Sequence, residues 1–324
     1  MSGAGDLDVR EYADADRPRV VELMRRSLGE RSGERTEEFF AWKHEENAFG
    51  RSYAWVAVDA GEIVGFRALM RWDFVAGGRR LRAVRAVDTC TAPTHQGRGI
   101  FRRLTMHGVE AVRAAGIDFV FNTPNAQSRP GYLAMGWQVV GRLPTVVRPA
   151  SIAALGRMAR ARVPADLWSL PSRVGLPIGQ WLAEPGALEV VEEVAARRLA
   201  GTRLQTALSA EFLRWRYGYE PLAYRVWPLG TGGGLVFRLR RRGPLVEAAV
   251  VDVLSARGPA PAADVRCMLV AAGADYALAL QQGLVRGMVT LPKQGPILTA
   301  RAAAAERPGG LADWRLSLGD VELF

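Results

Sequence analysis

The stretch that most constrains the fold of this chain covers residues 84–114, which read as a strand, a glycine-containing turn and a helix. The strand is rich in β-branched residues, and Pro93 ends it because proline has no N–H for pairing. Gly97 and Gly99 allow a tight turn that leaves the backbone uncovered. Apolar residues then recur at helical spacing. A bare turn before a helix presents free N–H groups, so this stretch predicts a phosphate-binding site.

The turn does not match two well-known phosphate loops. Arg102 occupies the third glycine position of G-x-G-x-x-G, and no G-K-[ST] sequence is present for a Walker loop. Residues 96–101 instead resemble the acyl-CoA signature of the GNAT acetyltransferase family, Q/R-x-x-G-x-G/A. The strand and Pro93 that precede them are also similar to that family. Phe101 departs from the pattern, because the family has a small residue at this position.

A second GNAT-like motif follows a predicted parallel strand at residues 119–122. The family commonly carries N-x-x-A-x-x-x-Y-x-x-x-G-F here. The chain keeps three of these positions in register and replaces the phenylalanine with tryptophan: Asn125, Tyr132, Gly136 and Trp137. We expect Pro130 and Gly131 to bend the helical turn before Tyr132. The order and spacing of the two motifs make residues 6–148 resemble a GNAT domain.

The resemblance implies acetyl-CoA, or another acyl-CoA, as the co-substrate. Its pantetheine amides would meet the backbone of the central strand, and its pyrophosphate would lie on amides of the turn. The residues implied for this site are Cys90, Thr91, Gln96, Gly97, Arg98, Gly99, Ile100, Phe101 and Asn125. Tyr132 would give its proton to the departing sulfur. Two plainer interpretations stay open: Tyr132 as a buried hydroxyl with a backbone partner, and Asn125 as a helix N-cap.

The candidate for the general base is an acidic residue of the central strand. Asp88 lies within a strand where an apolar residue is expected, so its burial needs a reason. It either accepts the proton of the attacking amine, directly or through water, or forms a structural salt bridge with an arginine. Cys90 is read as a small strand residue and not as an acyl-carrying nucleophile, because no histidine is placed to activate it. Three aromatic residues form either core or a wall of the acceptor groove: Phe40, Trp42 and Trp72.

Composition narrows the class of protein. The chain has 324 residues, 49% hydrophobic and 23% charged, which is typical of a globular protein with room for two domains. Two distant cysteines and three scattered histidines predict neither a zinc site nor another metal site. No apolar run approaches 18 residues and no signal-peptide pattern is present, so we expect no membrane span and a cytoplasmic location.

The charge of the chain is strongly positive. The net charge is +10, almost all of it from arginine, since only two lysines occur. The arginines are scattered and do not form a basic stripe interleaved with aromatic residues, so nucleic acid is not expected as a partner. Attraction of anionic CoA or of acidic partners is the modest inference.

The last third of the chain repeats the order of predicted elements found in the first third. A helix like that at residues 36–44 recurs at 211–216, followed by a hairpin, a strand, a helix and a strand at 276–280. No Gln-Gly-x-Gly loop follows Asp252, so we expect this copy to bind no CoA. The fold prediction is α/β (α+β), with two GNAT-like domains that are each a mixed twisted sheet flanked by helices.

The predicted domains are a catalytic GNAT domain at 1–148, a helical, proline-broken connector at 149–201, and a degenerate GNAT-like domain at 202–324. Residues 138–141 and 145–148 are predicted to close the first domain as a hairpin.

The resemblance implies an acyl-CoA-dependent N-acyltransferase. The expected acceptor is a primary amine of a small molecule, acylated by direct transfer in a ternary complex. Two alternatives stay open: an aminoacyl-tRNA-dependent peptidyl transferase of tandem-GNAT type, and an acyl-CoA-binding sensor or scaffold without turnover. The oligomeric state is also open, with a homodimer as one outcome.

Overall fold

The computed structural model describes residues 7–28, 36–160, 163–230, 233–280, 284–305 and 308–321. The chain divides into two compact units that interleave along the sequence. The first unit comprises Met1–Asp73, Leu81–Val140 and Leu298–Pro308. The second comprises Phe74–Arg80, Gly141–Ile297 and Gly309–Phe324. Each unit is built on its own mixed sheet with helices beside it, as the sequence predicts.

The sheet of the first unit has the strand order β1-β2-β3-β4-β5-β14-β6. Its strands are β1 (Asp8–Glu11), β2 (Tyr53–Asp59), β3 (Glu62–Ala76), β4 (Arg79–Thr91), β5 (Phe119–Asn122), β6 (Gln138–Arg142) and β14 (Ile297–Ala302). Its helices are α1 (Arg17–Leu28), α2 (Glu37–His44), α3 (Ile100–Ala114) and α4 (Arg129–Ala134). The predicted β2–β3 hairpin is confirmed, and its turn places Ala60 and Gly61 at positive φ.

Strands β4 and β5 are parallel, as predicted, but they pair over a short distance. The ladder runs only from Ala83↔Phe119 to Arg85↔Phe121. Strand β5 ends at Asn122, whereas β4 continues to Thr91. The second half of β4 therefore extends past its parallel neighbour, which leaves room beside its backbone for a ligand that pairs like a strand.

The two faces of this sheet can be told apart at adjacent residues of β3, because successive strand residues point to opposite faces. The ring of Phe66 packs against Phe40 and His44 of α2, with centroids 5.7 and 6.3 Å apart. The side chain of Arg67 contacts Tyr132 of α4 instead. One face of the sheet is thus covered by α2, and the other carries α3 and α4.

The predicted hairpin of residues 138–141 and 145–148 is wrong. Strand β6 lies at the edge of the first sheet, beside β14. The next strand, β7 (Thr145–Pro149), pairs instead with β12 (Tyr276–Leu280) and β13 (Val289–Leu291) of the second sheet. The place beside β5 is taken by β14, whose Thr299 is opposite Asn122. An alternating strand sequence fixes which face is buried, but it does not specify the partner strand.

The second unit has the strand order β13-β7-β12-β11-β10-β9. Its remaining strands are β9 (Arg225–Pro228), β10 (Gly234–Arg242) and β11 (Leu245–Leu254). The short strand β8 (Gln205–Thr206) pairs with Phe74 and Val75 of β3 instead. The helices of the second unit are α5 (Ile152–Arg160), α6 (Ile178–Trp181), α7 (Ala187–Ala200), α8 (Ala210–Gly218), α9 (Ala262–Ala271) and α10 (Leu318–Val321). Strands β11 and β12 are parallel and joined through α9. This crossover packs on a core of aliphatic residues from both strands and the helix.

The compact units are divided differently from the predicted domains. The predicted connector at 149–201 falls wholly within the second unit, whereas residues 298–308 return to the first. The physical reason is strand pairing: β7 pairs with strands of the second sheet although β6 before it lies in the first, and β14 pairs with β5 of the first sheet although the segments before and after it belong to the second unit. Within the described ranges, no helix is both long and apolar enough to cross a membrane.

Candidate active site

The turn between β4 and α3 has the open geometry that the sequence predicts. Gly97 and Gly99 have φ of 77° and 74°, a region that side chains other than glycine rarely adopt. Gly99 is the N-cap of α3, and its carbonyl accepts the N–H of Arg103 at 3.0 Å. Arg98 is turned aside, since its guanidinium binds Asp59 at 2.8 Å.

This turn fits the phosphates of a CoA thioester. A Cβ added at Gly97 or Gly99 would meet nothing within 4 Å, so the backbone is open to a ligand. The first N–H groups of α3 have no acceptor within the helix and point towards this opening. Helix starts of this kind bind anions through these groups and the positive end of the helix dipole. Backbone amides from Gly99 to Phe101 would hold the pyrophosphate.

Gly131 accommodates Phe101, the large residue that departs from the family pattern. A Cβ at Gly131 would lie 3.1 Å from the ring of Phe101, so the glycine makes room for the larger side chain. The Phe101 ring in turn packs edge-on against Tyr132, with centroids 5.4 Å apart.

The expected bend at Pro130 is wrong, because the proline lies in the first turn of α4, where its missing N–H costs nothing. The N–H of Tyr132 bonds to Ser128 O at 3.2 Å, as in a regular helix.

The hydroxyl of Tyr132 is held by an arginine and not by the backbone. Tyr132 is 4% exposed, and its oxygen lies 2.7 Å from Nη1 of Arg67. Arginine can only donate, so the tyrosine oxygen is the acceptor and its own proton remains available. A hydroxyl held in this way is suited to give that proton to another atom.

The burial of the charged Arg67 side chain in this sheet is energetically unfavourable. Its side chain is fully buried, and among the described residues its Nε and Nη2 atoms have no hydrogen-bond partner. Its guanidinium carbon lies 5.4 Å from the Tyr132 ring centre and 6.0 Å from that of Phe101. Aromatic faces offset part of the cost of burying a cation, but not all of it. Its positive charge is therefore only partly compensated by the groups around it.

Asp88 is paired with two residues of α2. Its Oδ2 atom lies 2.6 Å from Lys43 Nζ and 2.9 Å from His44 Nε2, and all three side chains are buried. Asp88 has φ of 33°, a strained value for a residue within a strand. Alternation along β4 would place it on the face of Ala86, which packs in the core cluster with Tyr132. The irregular backbone lets the carboxylate reach α2 on the opposite face.

His44 connects Asp88 to a serine. Its Nδ1 atom lies 3.0 Å from Ser52 Oγ. Burial lowers the pKa of His44 below its ordinary value of 6.5, so the imidazole is neutral at pH 7. Because a carboxylate can only accept, Nε2 carries the proton and Nδ1 accepts from the serine hydroxyl. A cavity of about 10 Å³ beside Lys43, His44 and Asp88 has room for about one water molecule.

The other predicted ligand residues are placed as follows. Cys90 is buried on β4, and the carbonyl of Thr91 accepts the Ser27 hydroxyl at 3.2 Å. Both lie on the part of β4 that extends past β5. Asn125 is an exposed N-cap-like residue, because its Oδ1 accepts the N–H of Ser128 at 2.8 Å. This is the plainer of the two interpretations that the sequence left open, and the bond leaves the amide nitrogen for another partner.

Sequence reasoning missed three polar residues of this region: Lys43, His44 and Arg67. Arg67 lies in the apolar strand sequence of residues 63–70 and stands out there as Asp88 does in β4. The same criterion, a charge where the pattern requires an apolar residue, identifies both. Phe40, Trp42 and Trp72 are each at most 7% exposed and are core residues. The described residues contain no group of three His, Cys, Asp or Glu side chains that could hold a metal ion.

An open turn at a helix start, a strand that extends past its neighbour and a buried tyrosine hydroxyl are features that an acyl-CoA-dependent acyltransferase site requires. Comparison of sequences agrees with this class. Residues 8–140 match the sequence model of the acetyltransferase (GNAT) domain. The chain therefore contains a GNAT acetyltransferase domain, and this domain makes it an acyltransferase. The comparison with curated proteins found no match.

Solved structures resemble the chain over most of its length. A GCN5-related N-acetyltransferase from Anabaena variabilis superposes with a TM-score of 0.60 at 12% identity, covering 92% of this chain and 73% of that one. A probable N-acyltransferase from Enterococcus faecalis gives 0.59 at 11% identity, covering 92% and 73%. A GCN5-related N-acetyltransferase from Kribbella flavida gives 0.56 at 15% identity, covering 93% and 72%. At these identities the likeness establishes the fold.

Proposed function

We propose that the chain transfers an acyl group from a CoA thioester, with acetyl-CoA as the expected donor, to a primary amine of a small molecule in a ternary complex. The observation that carries the proposal is that the first unit has both an open turn at residues 97–101, here called the CoA cradle, and an available proton on Tyr132. The amine nitrogen attacks the thioester carbonyl carbon, and the carbon–sulfur bond then breaks. The products are an amide and CoA thiol.

Tyr132 is proposed as the acid of this reaction. Its proton passes to the departing sulfur, while the positive charge of Arg67 stabilises the negative charge that develops on sulfur and on the tyrosine oxygen. Arg67 acts through Tyr132 and is a positioning residue. The Phe101 ring restricts Tyr132 from one side, so the hydroxyl has one preferred orientation.

Asp88 is proposed as the final acceptor of the amine proton. A water molecule between the amine and the Asp88–His44 pair would carry this proton across the open part of the sheet beside β4. Lys43 holds the Asp88 carboxylate through its ion pair, and Ser52 fixes the imidazole from the other side. This arrangement separates the base from the acid, which lies on the opposite face of the same sheet.

We further propose that the second unit is a degenerate copy of the first. The order α8-β9-β10-β11-α9-β12 repeats the order α2-β2-β3-β4-α3-β5. Both leading helices are capped alike, since Thr36 accepts from Phe39 N and Ser209 from Phe212 N, each at 3.0 Å. The turn before α9 contains Pro259 and Pro261, which have no N–H to offer a phosphate. We therefore expect CoA to bind the first unit alone.

The proposal is tested by incubating the full chain with acetyl-CoA and a panel of amines while free thiol is measured. Amino sugars, polyamines and aminoglycosides cover the main classes of small-molecule amine. The full chain is required because β14 completes the first sheet and would be lost from a protein that ends near residue 148. We expect thiol release that depends on one class of amine and is matched by the mass of an acetylated product.

Two results would contradict the proposal in different ways. Acetyl-CoA binding without turnover on any amine of the panel would favour a sensor or scaffold. Failure to bind acetyl-CoA or longer acyl-CoA thioesters would remove the donor and with it the acyltransferase mechanism. A shift of turnover towards longer acyl chains would change the donor and leave the mechanism in place.

A further inference from the structure

The second unit contains a cavity of about 300 Å³ at the carboxyl end of β11. The end of the strand contributes Asp252, and Ser255 and Gly258 of the following turn also line the cavity. The last turn of α7 and the segment before α10 form the rest of its wall. In sheets with parallel strands, ligands bind outside the carboxyl ends of those strands. The volume is that of a small-molecule pocket at the lower end of the usual range.

The charges that line this cavity do not balance. Four arginines face two carboxylates: Arg197, Arg198, Arg203 and Arg315 against Asp252 and Asp320. The Arg198 guanidinium binds both oxygens of Asp252, at 2.9 and 3.2 Å. Arg197 is paired with Glu193, one turn earlier on α7. These two pairs leave Arg203 and Arg315 without an ion pair among the described residues.

The remaining carboxylate, Asp320, is held by residues other than Arg203 and Arg315. Asp320 is buried, and its Oδ1 accepts the hydroxyl of Thr206 at 2.6 Å. Its Oδ2 accepts the N–H of Ser317, and burial and the nearby Asp252 raise the pKa of Asp320. Burial lowers the pKa of Arg315, and the charges of Arg203 and Arg198 lower it further. These arginines repel one another, and an anion between them would relieve that repulsion.

We propose that this cavity binds a small molecule through a phosphate or carboxylate group held by Arg203 and Arg315. Guanidinium groups bind both anions with two parallel hydrogen bonds. Recognition here rests on side chains, whereas the turn of the first unit offers backbone amides. The site is therefore chemically distinct from the CoA cradle and does not depend on the acyltransferase function proposed above.

The test is titration calorimetry on the full chain with inorganic phosphate, pyrophosphate and citrate at constant ionic strength. Each ligand is titrated into the wild type and into Gly99→Gln, in which the CoA cradle is filled, so that anion binding at α3 is removed. We expect saturable binding in both proteins. Binding of phosphate and pyrophosphate but not of citrate would identify a phosphoryl ligand. Binding of citrate alone would identify a carboxylate ligand.

Three substitutions that remove the same charge then locate the site. Arg315→Gln and Arg203→Gln, each made in the Gly99→Gln protein, should weaken binding by about tenfold or more, the usual effect of losing a charge-assisted hydrogen bond. Arg266→Gln should leave it unchanged, because Arg266 is exposed on α9 and does not line the cavity. Arg203 is exposed, so its variant is expected to fold normally. Equal affinity in all three variants, or no saturable binding of any of the three anions, would overturn the proposal.

Discussion

Arg67 and Tyr132 are 65 positions apart in the sequence, and a 2.7 Å hydrogen bond joins them in the core of the first unit. The bond determines what the tyrosine can do, because it occupies an oxygen lone pair and leaves the proton unused. The bond involves one nitrogen atom of a fully buried guanidinium, whose Nε and Nη2 have no partner among the described residues. The first predictions concern this pair and the turn beside it.

Tyr132→Phe should lower turnover much more than it weakens acetyl-CoA binding. Loss of a general acid costs about 10²- to 10⁴-fold in rate, whereas the ring that packs on Phe101 is kept. Steady-state kinetics with the amine found by the panel measures the rate, and calorimetry measures binding. Tyr53→Phe is the matched control, since Tyr53 is on β2 and stacks on Trp55. Equal turnover in Tyr132→Phe and the wild type would assign Tyr132 a structural role only.

Arg67→Met should reduce turnover while leaving the thermal midpoint unchanged or higher. The substitution removes a buried charge with unpaired donors, and replacing such charges by apolar side chains is often neutral or stabilising. Arg216→Met is the comparison, because the buried Arg216 donates to Gly319 O at 3.0 Å and Tyr224 Oη at 3.2 Å. That variant should lose stability. A clear drop in the midpoint of Arg67→Met would mean that Arg67 stabilises the fold instead of the reaction.

Gly99→Gln should largely abolish acetyl-CoA binding, because the side chain would cover the open amides at the start of α3. Calorimetry with acetyl-CoA measures the loss. Gly61→Gln is a close control: Gly61 has φ of 81°, and a Cβ there also meets nothing within 4 Å. Both variants carry a similar backbone strain of about 1–2 kcal/mol. Loss of binding in both would indicate a folding defect, and normal binding in Gly99→Gln would remove the basis for the CoA cradle.

Asp88→Asn should lower turnover by about 10²-fold or more, the lower end of the effect of a general base. Asparagine tolerates the positive φ of 33° at this position, so the backbone is retained. Asp118→Asn serves as the control, since Asp118 binds the Arg82 N–H at 2.7 Å in the turn before β5. Circular dichroism checks that each variant is folded. Wild-type turnover in a folded Asp88→Asn protein would reduce Asp88 to the structural partner of Lys43.

The stability of the protein should decrease as the pH falls below 6.5, and His44 should account for part of the decrease. Burial lowers the pKa of His44 in the folded state, so below 6.5 the unfolded chain binds a proton that the folded chain does not. This single group contributes a slope of at most about 1.4 kcal/mol per pH unit, down to its folded pKa. Urea unfolding at pH 7.0, 6.0 and 5.5 measures the slope.

His44→Gln should flatten that slope, whatever its effect on the free energy of unfolding at pH 7. His107→Gln is the control, because His107 is exposed on α3. Identical slopes in the wild type and His44→Gln would show that His44 is not the group that titrates in this range.

The local sequence is sufficient to predict the elements that hold the site. The β2–β3 hairpin, the turn at 96–101, α3 and the parallel strand β5 all lie where spacing and turn chemistry place them. Those signals are local, since alternation, glycine positions and helical periodicity are each set within a few residues. Tyr132 was found by its register in a motif, and Asp88 by its charge in an apolar strand.

The tertiary structure decided which partners these elements and residues have. Strand β7 pairs with the second sheet and β14 completes the first, because backbone hydrogen bonds form with whichever strand the fold brings alongside. Asp88 contacts Lys43 and also His44, which is 44 positions away in the sequence. Tyr132 contacts Arg67, which is 65 positions away. The sequence by itself determined which residues are polar where apolar ones are expected. Which charge each of them would meet depended on packing between distant segments, which no local pattern records.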